Sequence, residues 1–187
     1  MAAPHPLPPR LDLGDVILRR FRTEDAEELR DAVAASYDEL HPWMPWASAP
    51  PNLEDQREFI DRMSQWPSPG GSFAYGIFSA GKVSGVVGIE DRVGPGALEI
   101  GYWRRTGAGG RGIVTRAAGA VTAECLRLPA IGRVEIHCDA SNMASAAVAR
   151  RLGYRLDRLE SRQPSAPSES DVMQIWVAET APPHVPA

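Results

Sequence analysis

The chain has 187 residues and a formal net charge of −4, from 20 basic and 24 acidic side chains. This length suits one compact domain, and the acidic balance argues against a general nucleic-acid-binding protein. Lys82 is the only lysine; because valine follows it instead of serine or threonine, the chain has no Walker A phosphate loop. Lys82 also falls in a predicted turn, which disfavours pyridoxal phosphate chemistry.

Both ends are predicted to be disordered. Residues 1–9 and 181–187 are rich in proline and lack periodic apolar residues, which leaves a domain at 10–180. No apolar run reaches the ~18 residues needed to cross a membrane, and the amino terminus lacks the apolar region of a signal peptide. Cys125 and Cys138 form no C-x-x-C pair, so they are expected to be core residues. We therefore expect a cytoplasmic protein without a metal.

In the first half of the chain, hydrophobic periodicity predicts a strand, two helices and three further strands. In chain order these are 15–21, 24–35, 52–65, 72–79, 82–91 and 97–104. The connections between the last three strands are too short for parallel crossovers, so this part is predicted to be an antiparallel meander. Four prolines within 40–51 exclude a regular helix between the two predicted helices.

The second half begins with a glycine-rich loop at 105–112 and alternates helices with strands. The predicted elements are a helix, a strand, a helix and two strands, at 113–128, 132–139, 141–153, 154–161 and 171–179. The order β-α-α-β-β-β-α-β-α-β-β predicts a single α/β (α+β) domain. Its central sheet is expected to be mixed and mostly antiparallel, with about seven strands and about four flanking helices.

The glycine-rich loop carries an unusual concentration of positive charge. No Asp or Glu lies between Ile100 and Ala123, while four arginines do: Arg104, Arg105, Arg111 and Arg116. A helix that starts after several glycines offers free backbone N–H groups and a partial positive charge, and glycine lets a phosphate approach the backbone closely. The loop is therefore predicted to bind a pyrophosphate or polyphosphate.

A dinucleotide ligand is one alternative, because Gly107 to Gly112 matches G-x-G-x-x-G and Asp139 ends the following strand. A dinucleotide-binding domain enters this loop from a buried parallel strand and builds several more parallel units afterwards. Here three meander strands precede the loop and little chain follows. An NAD(P)-binding oxidoreductase is therefore a remote alternative.

Three segments resemble the GCN5-related N-acetyltransferase (GNAT) superfamily, in its RimJ/RimL-like branch. They are a Trp-Pro-rich loop, a strand followed by a pyrophosphate loop and helix, and an N-x-x-S…L-G-Y segment: 39–47, 99–118 and 142–154. The resemblance covers residues 11–179. It implies a sheet that is splayed at the cofactor site, an acyl-CoA donor such as acetyl-CoA, and a primary amine as acceptor.

The resemblance also implies which residues bind the donor. The pantetheine arm would pair with the strand around Trp103 and Arg104, and Asn142 would contact the same arm. The phosphates would lie on the amides of the loop: Gly109, Gly110, Arg111, Gly112, Ile113, Val114 and Thr115. A homodimer is compatible with the resemblance. Gly109 stands where the superfamily pattern has Gln or Arg, and this departure motivates a second hypothesis, a non-catalytic acyl-CoA-binding or interaction module.

Direct acyl transfer needs a base for the ammonium, a donor to the oxyanion and an acid for the thiolate. Glu99, on the strand before the loop, is the candidate base, and the resemblance makes Ser145 the acid. Substrate contacts are expected from the aromatic side chains of Trp43, Trp46 and Tyr102. His137 is expected to be structural and His41 to be exposed. A protein N-terminus, an aminoacyl nucleotide and an amino sugar remain open as acceptors for this transferase, which would be of EC 2.3.1 type.

Overall fold

The computed structural model describes residues 7–63, 71–108 and 112–183. Its strands are β1 Arg10–Asp12, β2 Val16–Arg20, β3 Ser72–Ser79, β4 Lys82–Glu90, β5 Ala97–Arg104, β6 Arg133–Asp139, β7 Arg155–Ser161 and β8 Val172–Ala178. Its helices are α1 Ala26–Ala34, α2 Tyr37–Leu40, α3 Leu53–Arg62, α4 Ile113–Leu126 and α5 Met143–Arg151. Single 3-10 turns lie at Thr23–Asp25 and Pro45–Ala47.

The eight strands form one sheet in the order β1-β2-β3-β4-β5-β6-β8-β7. Every neighbouring pair is antiparallel except β5–β6, which is parallel. The predicted mixed, mostly antiparallel sheet is therefore confirmed, with one strand more than expected. The additional strand is β1, whose three residues are too few for periodicity to mark. A single parallel pair also means that the dinucleotide-binding alternative is wrong, since that fold needs a series of parallel units.

Part of the segment predicted to be a disordered N-terminal tail is packed against the domain. Leu7 is buried in the core, and the Pro8 carbonyl accepts a hydrogen bond from the Tyr75 hydroxyl, with 2.5 Å between the oxygens. Residues 7–9 therefore belong to the domain, because an apolar contact and a buried hydrogen bond hold them. The rest of the predicted tail at 1–6, together with 184–187, lies outside the described residues.

The sheet is splayed between β5 and β6. β5 and β6 pair only from Ala97–Arg133 to Glu99–Glu135. Beyond that point β5 follows β4 as far as Arg104, while β6 follows β8 as far as Asp139. The strands diverge into a V, which leaves backbone N–H and C=O groups available to a strand-like ligand. The splay that the resemblance implied is confirmed.

The two faces of the sheet bury different helices, because side chains alternate along each strand. One face carries Leu98, Ile100 and Tyr102 of β5 and packs against α4 and α5; we call it the α4 face. The opposite face, which carries Val86 and Trp103, packs against α1 and α3; we call it the α1 face. Each face therefore contributes different side chains to the edges of the V.

The four predicted helices are present, and each is a few residues shorter than predicted. α3 starts where the Asn52 side chain accepts a hydrogen bond from the Asp55 N–H, at 2.9 Å. A one-turn helix, α2, precedes the proline-rich segment. Cys125 and Cys138 are both buried and unpaired with each other, as expected of core residues. Among the described residues, no helix is long and apolar enough to span a membrane.

Candidate active site

A cleft of about 1200 Å³ opens at the V. Its walls are the diverging strands β5 and β6, the N-termini of α4 and α5, the proline-rich segment after α2, and the exposed side of α3. The segment between β7 and β8 also borders it, and the Ser168 N–H donates to the Pro42 carbonyl at 2.8 Å. The cleft thus passes through the sheet from one face to the other.

The N-terminus of α4 opens onto the cleft from the α4 face. Gly112 is the N-cap and adopts a left-handed conformation, with φ +60°, which glycine allows without steric cost. Ile113, Val114 and Thr115 line the cleft, and the first turn of α4 contains no acidic residue. This arrangement suits an anion, because the free N–H groups and the helix dipole both favour negative charge. The predicted ligands Gly109, Gly110 and Arg111 lie outside the described residues.

The arginines of the basic stretch are in different environments. Arg116 is buried, and its guanidinium donates to Asp15 at 2.7 Å. Arg105 is paired with Glu28 at 2.9 Å. Arg104 lines the cleft and is 3.8 Å from Glu39, with 43% of its side chain exposed. Of these three side chains, Arg104 is therefore the one available to a ligand in the cleft.

The start of α5 forms the other wall on the α4 face. The Asn142 side chain caps this helix by accepting from the Ser145 N–H at 3.1 Å, and both residues line the cleft. The Ser145 hydroxyl donates to the Tyr102 hydroxyl at 3.2 Å, and the Tyr102 hydroxyl donates to the Ser145 carbonyl at 3.1 Å. Tyr102, predicted as a substrate contact, points toward α5 and not toward the tryptophans. The structure therefore joins Tyr102 and Ser145 into one hydroxyl pair.

The phenol and a nearby thiol are held in their neutral forms. Burial raises the pKa of Tyr102, and the hydrogen bond from Ser145 opposes that shift only in part. Burial also raises the pKa of Cys138, which lines the cleft beside Ser145. At neutral pH the Tyr102 hydroxyl keeps its proton and donates it to the Ser145 carbonyl oxygen, while its own oxygen accepts from the Ser145 hydroxyl.

Glu99 projects from β5 on the α1 face at the fork of the V. Its side chain is 8% exposed, and both oxygens accept from Arg92, at 2.8 and 2.6 Å. Glu90, opposite Glu99 on β4, accepts from the Ser72 hydroxyl. Two carboxylates thus flank the cleft floor on neighbouring strands, in a position to attract a cationic acceptor.

His137 and Glu135 lie beside Glu99 on the same face. The His137 Nε2 atom is 2.6 Å from Oε2 of Glu135, and its Nδ1 atom is 3.6 Å from Oε2 of Glu99. Glu135 is fully buried and also accepts from Arg133 at 2.7 Å. Sequence reasoning missed this cluster. The available signal was Glu135 followed two residues later by His137 on β6. It indicates a site only once β6 is known to lie beside β5, which carries Glu99.

Three tryptophans border the cleft on the α1 face: Trp43, Trp46 and Trp103. Trp46 is 51% exposed, and its ring centroid lies 6.2 Å from that of Trp103. The proline-rich segment is held by a hydrogen-bonding contact of 2.9 Å between His41 Nδ1 and the Ala47 carbonyl. His41 is half-buried, so the expectation that it is exposed is wrong. The rigid aromatic walls suit a substrate entrance.

A glycine leaves part of the cleft floor open. Gly88 and Gly101 are paired across β4 and β5, between the Glu90–Glu99 pair and Trp103. A Cβ atom at Gly101 would meet no atom within 4 Å, whereas one at Gly88 would lie 3.3 Å from the Met63 side chain. β5 therefore presents bare backbone to the cleft at Gly101, while Met63 covers Gly88.

The fold and the cleft define a class of protein. A splayed mixed sheet, an anion-binding helix start at its opening, and acid–base groups on opposite faces of the V are the features of an acyltransferase that binds acyl-CoA along the diverging strands. Residues 15–155 match the acetyltransferase (GNAT) domain family, so the chain belongs to this family. It is an acetyl-CoA-dependent N-acetyltransferase.

The similar proteins are consistent with this assignment. "Putative ribosomal N-acetyltransferase YdaF" of Bacillus subtilis (strain 168) is 29% identical over 143 residues, which cover 74% of this chain and 77% of that protein. The structure of RimL, the ribosomal L7/L12 alpha-N-protein acetyltransferase, in complex with coenzyme A aligns with a TM-score of 0.83 and 22% identity. The alignment covers 92% of this chain and 98% of the RimL chain. The Microcin C7 self immunity acetyltransferase MccE, in complex with acetyl-CoA and AMP, aligns with a TM-score of 0.79 and 24% identity over 88% of this chain and 92% of its own.

Proposed function

We propose that the enzyme acetylates the α-amino group of a protein N-terminus. The observation that carries this proposal is the open cleft floor on the α1 face, where Gly101 presents bare backbone beside the carboxylates Glu90 and Glu99. A protein N-terminus is an extended chain that ends in an ammonium. Bare backbone accommodates its narrow leading end, and the carboxylates attract its charge. The names of RimL and YdaF, which refer to ribosomal proteins, favour the same acceptor class.

The proposed transfer is direct. The amine nitrogen attacks the thioester carbonyl carbon, a C–N bond forms, and the C–S bond breaks as the tetrahedral intermediate collapses. Trp103 and Arg104 lie on the β5 edge, where their backbone groups are proposed to bind the pantetheine arm and the oxyanion. The Ser145 hydroxyl is proposed to turn its proton from Tyr102 to the departing thiolate. Glu99, which the sequence predicted as the base, is proposed to face the incoming ammonium.

Proposed cofactor contacts follow the geometry of the α4 face. The N–H groups of Ile113, Val114 and Thr115 would bind the pyrophosphate, because they lie at the open end of a helix without a competing acid. Asn142 caps α5 and lines the cleft, so its side chain can hold the helix start beside the pantetheine arm. Acetyl-CoA supplies the acyl group as co-substrate.

The proposal is tested by thiol release. Purified protein is mixed with acetyl-CoA and hexapeptides that carry free N-terminal Ser, Ala, Thr, Gly or Met, and free CoA is measured with a thiol reagent. We expect CoA release with at least one peptide and none with its α-acetylated counterpart. Glucosamine and a non-hydrolysable aminoacyl adenylate test the other acceptor classes. Turnover with glucosamine or the adenylate but with no peptide would contradict a protein N-terminus as the acceptor. Binding of acetyl-CoA without turnover of any acceptor would favour the non-catalytic module.

Arg104→Gln is expected to weaken coenzyme A binding about threefold. Its guanidinium lines the cleft and has only a distant carboxylate, so it is free to meet a phosphate. Arg105→Gln is the matched control, because Glu28 already engages its guanidinium. Calorimetric titration with CoA should therefore give a higher Kd for the first variant and an unchanged Kd for the second. Equal Kd values for both variants and the parent would remove Arg104 from the phosphate site.

We also propose that the enzyme is a cytoplasmic homodimer. The outer edge strand β7 supports an interface between copies, since all seven of its residues are exposed, including Leu156 and Leu159. An unpaired edge strand with exposed leucines favours association with another chain. Light scattering after size exclusion should give twice the monomer mass of 20.3 kDa. A monomer mass at tens of micromolar protein would contradict the dimer.

A further inference from the structure

Three side chains form a continuous polar row at the fork of the V: Glu99, His137 and Glu135. Glu99 and Glu135 are directly paired residues of the parallel strands, and His137 is the next residue on the same face of β6. His137 is therefore the first side chain on this face after the strands separate. It lines the cleft with 20% of its side chain exposed, whereas Glu135 lies fully buried behind it.

The hydrogen bond to Glu135 fixes the proton on the imidazole. A carboxylate only accepts, so at 2.6 Å the His137 Nε2 atom must be the donor. In the neutral ring the other nitrogen, Nδ1, then carries a lone pair. That nitrogen is 3.6 Å from Oε2 of Glu99, beyond hydrogen-bonding distance. In the neutral ring Nδ1 is thus an acceptor that lies beside a carboxylate in the cleft.

We propose that His137 is the general base of the acetyl transfer, that Glu99 binds the acceptor ammonium, and that Glu135 is a positioning residue. This inference rests on the proposed function. Two acceptors 3.6 Å apart can both be reached by one ammonium nitrogen at ~2.8 Å. Glu99 is less suited to take the proton, because protonation would break its two-point contact with Arg92.

Two protons leave the acceptor nitrogen during the reaction. The ammonium transfers the first to Nδ1 of His137, which becomes an imidazolium, and the neutral amine then attacks the thioester. The second leaves the nitrogen as the tetrahedral intermediate collapses and passes to the departing thiolate, which is released as the free CoA thiol. Glu135 accepts from Nε2–H throughout and stabilises the positive ring, so it keeps its own charge. The imidazolium returns the proton to solvent through the open cleft when the product leaves.

The charges around His137 favour this cycle. Glu99 faces it from β5 and Glu135 from β6. Asp139, two residues further along β6, is already occupied by hydrogen bonds from Ser141 and Ser170. The arginines of the cluster act on carboxylates and not on the ring. Arg92 pairs with Glu99 and Arg133 with Glu135, while Arg158 lies 4.0 Å from Glu135 and is held more closely by Asp157 and Glu160. On β8 the residue paired with His137 is Ile175, which carries no charge.

The pH dependence of kcat/KM tests the assignment, with the best hexapeptide acceptor and acetyl-CoA. In His137→Gln we expect a loss of about 100-fold at neutral pH and the disappearance of the acidic limb. In Glu99→Gln the limb should remain while KM for the peptide rises about tenfold. In Glu135→Gln the limb should move to lower pH, because the buried carboxylate that stabilises the imidazolium is absent. Glu27→Gln, which removes an exposed carboxylate on α1 away from the cleft, is the control and should leave the profile unchanged.

A second measurement does not depend on turnover. The 15N chemical shifts of the four histidine rings report their tautomers. The signals of His137 are assigned as those that disappear from the spectrum of His137→Gln or His137→Asn. We expect the Nε2–H tautomer. An Nδ1–H tautomer, or a limb that persists in His137→Gln and disappears in Glu99→Gln, would overturn the proposal. Absence of turnover by the parent enzyme with every peptide would instead overturn the proposed acceptor, which the tautomer does not address.

Discussion

Replacing Ser145 with alanine is expected to lower kcat about 100-fold and to leave the Kd for acetyl-CoA within about twofold. The hydroxyl lines the cleft on the α4 face, where the thiolate would leave, and acid–base groups of this kind contribute ~10²–10⁴-fold. The cap of α5 is unaffected, because Asn142 bonds the Ser145 backbone N–H and not its hydroxyl. The loss should therefore appear in the chemical step and not in donor binding.

Tyr102→Phe should give a smaller loss, about tenfold in kcat. The phenol holds Ser145 by two hydrogen bonds and touches its hydroxyl directly, so its removal frees that hydroxyl to turn away from the cleft. If the two residues act as one unit, the double variant should be no slower than Ser145→Ala alone. An additive loss would show that Tyr102 acts separately.

Single-turnover kinetics and calorimetry separate these outcomes. Ser141→Ala, an exposed serine just before the same helix, is the matched control and should retain the parent rate. A Ser145→Ala enzyme with the parent kcat would remove Ser145 from catalysis. A Kd raised tenfold or more would instead show that the hydroxyl binds the donor in its ground state.

Replacing Gly85 with alanine is expected to lower the free energy of unfolding by about 3 kcal/mol. A Cβ atom at this position would lie 2.4 Å from the Trp103 carbonyl oxygen and 3.2 Å from the Arg104 Cα atom. These are backbone atoms of β5, so they cannot move without disturbing the β4–β5 pairing. For a chain of this size the melting temperature should fall by roughly 6–12 °C.

Gly101→Ala is the matched comparison on the neighbouring strand. Its Cβ atom would meet nothing within 4 Å, and alanine is slightly favoured over glycine in a strand, so the melting temperature should be unchanged or rise by about 1–2 °C. The methyl group would stand on the open floor of the cleft. We expect kcat/KM for the peptide to fall at least about tenfold while the Kd for CoA stays constant.

Calorimetric melting and steady-state kinetics on both variants decide this pair. The predicted pattern is a loss of stability at Gly85 and a loss of acceptor use at Gly101. A parent-like rate for Gly101→Ala would mean that the acceptor does not cross the glycine floor, and a parent-like melting temperature for Gly85→Ala would show that β5 can shift at little cost.

Local sequence signals predicted most of the secondary structure. The hairpin at 72–91, the helix after the glycine-rich loop and the last two strands occur close to their expected positions, because their periodicity, turns and caps are local properties. β1 and Leu7 were not predicted. Leu7 is buried against the core of the sheet, the adjacent Pro8 carbonyl is bonded by Tyr75, which is distant in sequence, and β1 is recognisable only from its pairing with β2.

The charge of the basic stretch could not be interpreted from composition. Four arginines without a nearby acid predicted a phosphate-binding cluster, yet Arg105 and Arg116 are engaged by Glu28 and Asp15, which lie about 77 and 101 residues away in sequence. Ion pairs between distant residues depend on the final packing. The number of arginines available to a ligand is therefore a property of the tertiary structure.

The sequence by itself determined the family and most of the order of the elements, because these depend on motifs and on periodicities of a few residues. Only the tertiary structure decided how the reactive groups are divided. Parallel pairing that stops at Glu99 and Glu135 splays the sheet, and alternation along the strands then directs Glu99 and His137 to one face and Tyr102 to the other, beside Ser145. That division depends on the register between two strands separated by a helix, and no local pattern encodes it.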